Sequence, residues 1–543
     1  MKDNTMFNPT SSAYSEIQPS TTVSYIKNDK ISTDKAKKNL YQNRHMVLST
    51  LSCGMGMGLF FASGQQISSA GAYGTIISYL IVGIMIVFMY LSCCELIVNF
   101  PGLNILDYSR VFICDSIGYA VSILYCLNQL IVFPLEIISA VLLTESYVSL
   151  NNYKGLVVTF YIALIFVFSF LNKKLYVEAE FVLNFAKVLM MIVFIFVAVM
   201  QIFGLVGINS PISNKSNNNL VIPGGFNTNP NGLLIKKIIS VFITSIFSCS
   251  GVEYSAISLS TQEKSKVKKQ IKNSSYQIIG RMLVFYVLPF FLIGMLVPYT
   301  NQNLMGAVDK DGLPINTYPK SPFALTFELH GIKLLPVIVD VVVILSLLSV
   351  SISSVNASAV LLKTMSKNGY LAAFLTKLLQ DENKNKNLWA NAIAFGFGSM
   401  AYLIYLPNYS IIFMYMVSIG GLSTIILWTV ICISHIVFRS YLKKNKQNLS
   451  QLSYVSPSGI FGSYVAISIN VVILCLTFWT SLWPVGSDGI SISSFLQVYV
   501  GIPFFWFLVL IYKLTQNLYF GHAAQNIQPR QANYIEQYFI LDD

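Results

Sequence analysis

The sequence predicts an all-α membrane protein of about twelve transmembrane helices, and three observations carry that expectation. The first is composition. Of 543 residues, 54% are hydrophobic and only 11% charged, with a mean hydropathy of +0.62, whereas a soluble domain carries roughly 25% charged residues. The second is the presence of long apolar runs, such as 73–96 and 181–206, that reach the ~18–20 residues needed to cross a hydrocarbon core. The third is the placement of charge. Counted along alternating loops, 27 of the 35 Lys and Arg fall on the side of the N-terminus, and seven fall on the other side. That asymmetry predicts cytoplasmic N- and C-termini.

The expected spans run over 46–67, 72–100, 117–148, 155–171, 178–206, 238–259, 282–298, 335–365, 388–406, 411–437, 462–483 and 495–512. Residues 1–44 are polar and read as a disordered cytoplasmic tail, with no apolar core of the kind a cleavable signal requires. The transmembrane domain is expected over 45–515, and 516–543 form a cytoplasmic C-terminal tail. The Asn/Pro/Gly-rich stretch 207–235 and the stretch 300–334 are expected outside. The Lys-rich segments 263–273, 366–387 and 439–449 are expected inside. Asn214-Lys215-Ser216 is an outer-side glycosylation sequon.

The net charge of +12 raises nucleic acid as a partner. Its one-sided distribution assigns it to membrane topology instead, with the lipid bilayer as the partner. Seven of the eight cysteines fall in apolar segments and read as small buried hydrophobes. No metal-ligand spacing, Walker loop, nucleophile elbow or dinucleotide fingerprint appears in the sequence, so neither a metal, a cofactor nor an enzymatic reaction is indicated.

One internal symmetry stands out. The first span is interrupted by Gly54-Met55-Gly56-Met57-Gly58, and the sixth carries Ser248-Cys249-Ser250-Gly251-Val252-Glu253 about as far from its own start. Paired glycine-interrupted helices in two halves point to an inverted-repeat transporter with its site at the breaks. Unwound backbone at membrane depth is tolerated only where it lines a cavity or meets a ligand. Its N–H groups suit a carboxylate and its carbonyls suit an ammonium, which together describe an amino acid. The alternative reading of the glycines is close helix packing.

At these residues the chain resembles the yeast amino acid transporter family, within the amino acid–polyamine–organocation superfamily. The resemblance begins at Arg44-His45 and Met55-Gly56-Met57-Gly58-Leu59-Phe60. It continues through Phe133-Pro134-Leu135-Glu136-Ile137, Gly251-Val252-Glu253, Leu296-Val297-Pro298-Tyr299, Ser321-Pro322-Phe323, His435-Ile436 and Trp483-Pro484-Val485-Gly486. It implies a LeuT-like fold of two inverted five-helix repeats plus two C-terminal helices, and proton-coupled uptake of amino acids, usually at a fungal plasma membrane. It further implies a substrate carboxylate near Gly56, Met57 and Gly58, with Gly54 and Met55 in the same break. Cys249, Ser250 and Gly251 would lie around the amino group and side chain. The chain departs from the family at Met57 (usually threonine), Cys249 (usually aromatic), Ile352 (asparagine) and Val360 (arginine).

Ionisable groups inside a membrane are functional candidates by default. Lys187 lies within the fifth apolar run. The resemblance aligns it with a lysine that takes the place of a sodium ion in proton-coupled relatives; the other reading is a permanently charged bridge to carbonyls. Glu253 follows the second break and either relays a proton or braces the broken helix. Glu136 is next to Pro134, where its carboxylate is expected to serve freed backbone donors. Asp340 and His435 are expected near the outer and inner interfaces. Two functions are therefore carried forward: a proton-coupled amino-acid permease working by alternating access, and a non-transporting amino-acid sensor on the same fold, to which the four departures lend support. Oligomeric state is not encoded in these patterns.

Overall fold

A computed structural model describes residues 48–519, apart from 49, 53, 101–102, 149, 151–152, 171–172, 208–223, 230–231, 260–263, 306–318, 381–387, 407–408 and 487–488. The tails at 1–44 and 520–543, and the sequon at Asn214, lie outside the described residues. Helix α1 (Met57–Phe60) follows the first break, and α2 (Ser63–Asn99) carries the rest of the first span and all of the second. A short α3 (Asp107–Phe112) precedes the third span, α4 (Asp115–Glu145); α5 (Lys154–Ser169) and α6 (Lys173–Ile202) are the fourth and fifth. The sixth is divided into α7 (Leu234–Ser240), α8 (Phe242–Cys249) and α9 (Val252–Leu259). The seventh comprises α10 (Lys264–Arg281), a π-helical turn at Met282–Val287 and α11 (Leu288–Leu296). Then come α12 (Pro322–Glu328), α13 (Leu334–Lys367) as the eighth span, α14 (Ala373–Gln380) and α15 (Leu388–Gly398). The ninth span continues beyond α15 as a 3₁₀ turn, Ser399–Tyr405. The last elements are α16 (Tyr409–Lys444), α17 (Gly459–Leu482), α18 (Ile492–Tyr499) and α19 (Gly501–Tyr519).

Among the described residues, eight helices are long and apolar enough to cross a membrane, or nine if the bent pair α18–α19 is one span. The remaining expected spans are broken or short. The first shares a helix with the second, the sixth is divided, and α5 has 16 residues. Several boundaries differ from expectation, among them the tenth span, which runs on to Lys444. The Lys-rich segment expected as an inner loop at 263–273 is largely helical in α10. The last span bends by 66° between α18 and α19 rather than running straight. Helix α19 also continues to Tyr519, past the tail boundary expected at 516.

Helix α4 is the most enclosed of the long helices, with 94% of its most apolar window buried. A helix that is apolar all round must be surrounded by others, and α4 packs against α13, α15, α16 and α19. At the other extreme, α17 turns Phe461, Tyr464, Val471 and Val472 outward, as a lipid-facing helix would.

The turn between the first two spans is made by Gly71, at φ 77° and ψ 164° within α2. A β-carbon there would stand 2.1 Å from the Gly225 carbonyl oxygen, so only glycine fits. The freed backbone groups are taken up by the stretch before α7. Ala72 N–H donates to Gly224 O (2.9 Å) and Tyr73 N–H to Gly225 O (3.4 Å), while Asn227 N–H donates to Ala70 O (3.2 Å). Lys237 in turn holds that stretch through Asn227 O and Oδ1 (both 3.1 Å) and Asn229 O (2.7 Å).

A second fastening lies where α2 meets α16 and α17. Glu95 is fully buried and faces Arg439 (Nε–Oε1 2.6 Å, Nη2–Oε2 2.8 Å) and His435 Nε2 (3.2 Å), and it accepts from Ser456 N–H (2.6 Å). His435 Nδ1 contacts Ser463 Oγ at 2.7 Å, and that hydroxyl meets Ser92 Oγ at 2.8 Å. His435, expected near the inner end of its span, is fully buried in this ionic cluster. Removing one partner of such a pair leaves a buried charge uncompensated. Arg439→Leu is expected to cost about 3–5 kcal/mol, and Gly71→Ala about 1–3 kcal/mol through backbone strain. Both are read as lowered Tm and folded yield of the detergent-purified chain.

Candidate functional site

Met55, Met57 and Leu59 are fully buried where the first span breaks. Gly54 sits at φ +73°, and a β-carbon on it would meet Ser250 O at 2.7 Å. One on Gly58 would meet Ser248 Cα at 2.6 Å. The two glycines thus let the two broken helices touch backbone to backbone, so the motif is at once a break and a close packing. Gly56 is different. Its β-carbon would lie 2.5 Å from Glu136 Oε1, so the glycine makes room for a carboxylate.

That carboxylate is the central feature. Both oxygens of Glu136 accept from the Met57 N–H, at 3.2 and 3.1 Å. Glu136 reaches across from α4 rather than serving donors on its own helix near Pro134, because its side chain is aimed at the nearest unpaired donor of the neighbouring break. Ser139, one turn further along α4, places its hydroxyl 3.4 Å from Met57 Sδ. Ser346 Oγ donates to Met55 O (3.3 Å) and Ser321 Oγ to Phe60 O (2.8 Å).

In the sixth span, α8 ends at Cys249, Ser250 is extended (φ −58°, ψ 155°), and Gly251 at φ +93° allows α9 to start. Tyr286 donates to Ser248 O at 3.1 Å, and Cys249 Sγ lies 4.0 Å from Met282 Sδ, on the π-helical turn. Phe247 packs on Gly420 of α16, where a β-carbon would be 2.6 Å from its ring. Glu253 is fully buried and held by two neutral donors, the Tyr125 hydroxyl from α4 and Trp428 Nε1 from α16 at 3.2 Å. This geometry supports the bracing role for Glu253: both oxygens are engaged by neighbours that fix α9 against α4 and α16.

Lys187 is buried, 3% exposed, on α6. Its charge interacts with two carboxylates, Glu136 from α4 and Glu180 from its own helix. Sequence reading missed Glu180 because it lies within a turn of the drawn start of the span. The available signal was its separation of seven residues from Lys187, which puts both on one helix face. Asp340, expected near the interface, is also buried and accepts from the Tyr147 hydroxyl at 2.7 Å. Ile352 is buried, whereas Val360 is 54% exposed and faces outward. Among the described residues, no group of three or more His, Cys, Asp or Glu is placed to hold a metal.

Two helices broken side by side, with a carboxylate and a lysine beneath the first break, are accompanied by a match over residues 45–524 to the model of the amino acid permease family. The chain belongs to this family. It is 29% identical over 486 residues to the valine amino-acid permease of Saccharomyces cerevisiae, covering 89% of this chain and 78% of that protein. It is 30% identical over 484 residues to the general amino-acid permease GAP1 of the same yeast (89% and 77% covered). With the amino-acid permease GAP5 of Candida albicans it shares 31% identity over 499 residues (91% and 75%). Among solved structures, a manganese transporter of Eremococcus coleocola, in complex with an aromatic bis-isothiourea compound, superposes with a TM-score of 0.50. The identity is 14%, covering 87% of this chain and 94% of that one. This is a likeness of fold, and it agrees with the all-helical, LeuT-like architecture.

If Glu253 is a brace, its two donors act on stability. Tyr125→Phe and Trp428→Phe are each expected to cost about 1–3 kcal/mol by leaving a buried carboxylate oxygen unsatisfied. The double variant should depart from additivity in thermal unfolding, since both donors share one carboxylate.

Proposed function

We propose that this multi-pass membrane protein is a secondary active carrier that takes up amino acids by alternating access, driven by protons. The observation that carries the proposal is the Glu136 carboxylate on the Met57 N–H. An α-carboxylate arriving at the first break would seek the same donor, so Glu136 and the substrate compete for it. A proton on Glu136 removes its charge and the charge-assisted part of that hydrogen bond, which releases the donor to the substrate. The adjacent Lys187 supplies the counter-charge and exchanges protons with Glu136. Gly54, Met55, Gly56 and Gly58 shape the carboxylate end; Cys249, Ser250 and Gly251 form the end for the ammonium and side chain. Membership of the amino acid permease family supports the substrate class, as do the names of the relatives.

The positive charge bias supports cytoplasmic termini, and residence at the plasma membrane is part of the same proposal. A sensor that binds amino acids without moving them is the other reading, separated from the first by uptake itself.

The test is expression in a cell lacking its own permeases, with radiolabelled amino acids offered at acidic and neutral pH. Saturable uptake that rises at acidic pH is expected. Lys187→Ala should lower it by about 10²-fold, the scale of losing a proton-transfer group. In Glu136→Gln the pH stimulation should disappear, because the competing group no longer titrates. Binding of amino acids with no uptake of any of them would replace the carrier by the sensor.

A further inference from the structure

A narrow cavity lies between α5, α6 and α13, its lining reaching along α6 as far as Leu183, one turn before Lys187. It has room for about one water molecule. Its polar lining is Tyr176 and Glu180 from α6 with Ser349 and Ser353 from α13; Phe168 and Ile352 form apolar walls. Ser353 Oγ donates to Ser349 O at 3.0 Å. Lining the cavity from α5 and α13 there is no titratable group, so Glu180 and Tyr176 are its ionisable members among the described residues.

Lys187 and Glu180 are seven residues apart on α6, about 10 Å along the axis. Helical side chains lean toward the N-terminus of their helix. The lysine therefore leans from the level of the first break toward Glu180, and its charge interacts with that carboxylate as well as with Glu136. Glu180 leans in turn toward Tyr176, whose hydroxyl donates to it. Beyond Tyr176 the helix ends at Lys173, the end that the charge pattern assigns to the cytoplasm.

We propose that Glu180 is a proton-relay residue on the cytoplasmic side of Lys187, passing the coupled proton through the water-sized cavity. The inference rests on the proton-coupled reading above. The lysine ammonium breaks one N–H bond and becomes a neutral amine, while the Glu180 carboxylate forms an O–H bond and becomes a neutral acid. Glu180 then gives that proton to water on the cytoplasmic side and is a carboxylate again. Lys187 regains a proton from Glu136, which takes its own from the outer side. One proton has crossed and every group is restored.

The experiment uses the purified full chain in proteoliposomes holding a pH-sensing dye, with a radiolabelled mixture of the standard protein amino acids. Net uptake driven by an inward proton gradient is compared with counterflow exchange at equal pH, which needs no proton release. In Glu180→Gln, net uptake and lumen acidification should fall about 10²-fold while exchange stays within about twofold of wild type. Glu180→Asp, which keeps a carboxylate, should recover part of the net uptake. Loss of exchange in step with net uptake, or retention of both, would overturn the relay. A wild-type protein that accumulates amino acids without acidifying the lumen would remove proton coupling itself, and the relay with it. A coupled wild type matched by Glu180→Gln would remove the relay alone.

Discussion

Inside a bilayer, a backbone N–H or C=O that leaves its helix has no water to turn to. That constraint organises this molecule. Its chain leaves helical geometry at Gly54–Gly56, at Gly71 and at Ser250–Gly251, and at each place another segment takes up freed groups. Glu136 receives the Met57 N–H, and Ser346 donates to Met55 O. The stretch 224–227 is fastened to both sides of Gly71, and Tyr286 donates to Ser248 O. The breaks are therefore what bind α4, the π-helical turn, α13 and the loop before α7 into one body.

The buried charges divide into two kinds by what surrounds them. Glu95 is enclosed by Arg439, His435 and a backbone donor, and Glu253 by a tyrosine and a tryptophan. In both sets the donors come from neighbouring helices, which suits a fastening. The set around Lys187 has two carboxylates sharing one lysine. It has one acidic group more than it has basic groups, one carboxylate against a helix break and the other against a cavity. Its two ends face different parts of the molecule.

Much of the architecture was legible in the sequence because lipid imposes a simple rule: a span must be long and apolar. The boundaries of α4, α5, α13 and α17 fall within a few residues of expectation for that reason. Helix α10 was missed because its Lys-rich surface breaks the apolar run although the backbone stays helical. The bend before α19 was missed because apolarity says nothing about direction. At the site, the two breaks were legible from glycine spacing and Lys187 from its isolation in an apolar run. Glu180, Ser139 and the donors of Glu253 were not. Their partners are remote in sequence or belong to ordinary packing, and one sequence carries no signal for such pairings.

By itself, then, the sequence determined that the chain lives in a membrane, how its charge is divided between the two faces, and where its helices break. These follow from composition and local backbone preference, which act residue by residue. Tertiary structure decided which carboxylate meets which donor. Glu136 lies 79 residues from Met57 and Glu95 lies 344 from Arg439, so both pairings exist only because helices distant in sequence pack side by side. In a medium without water those pairings are obligatory.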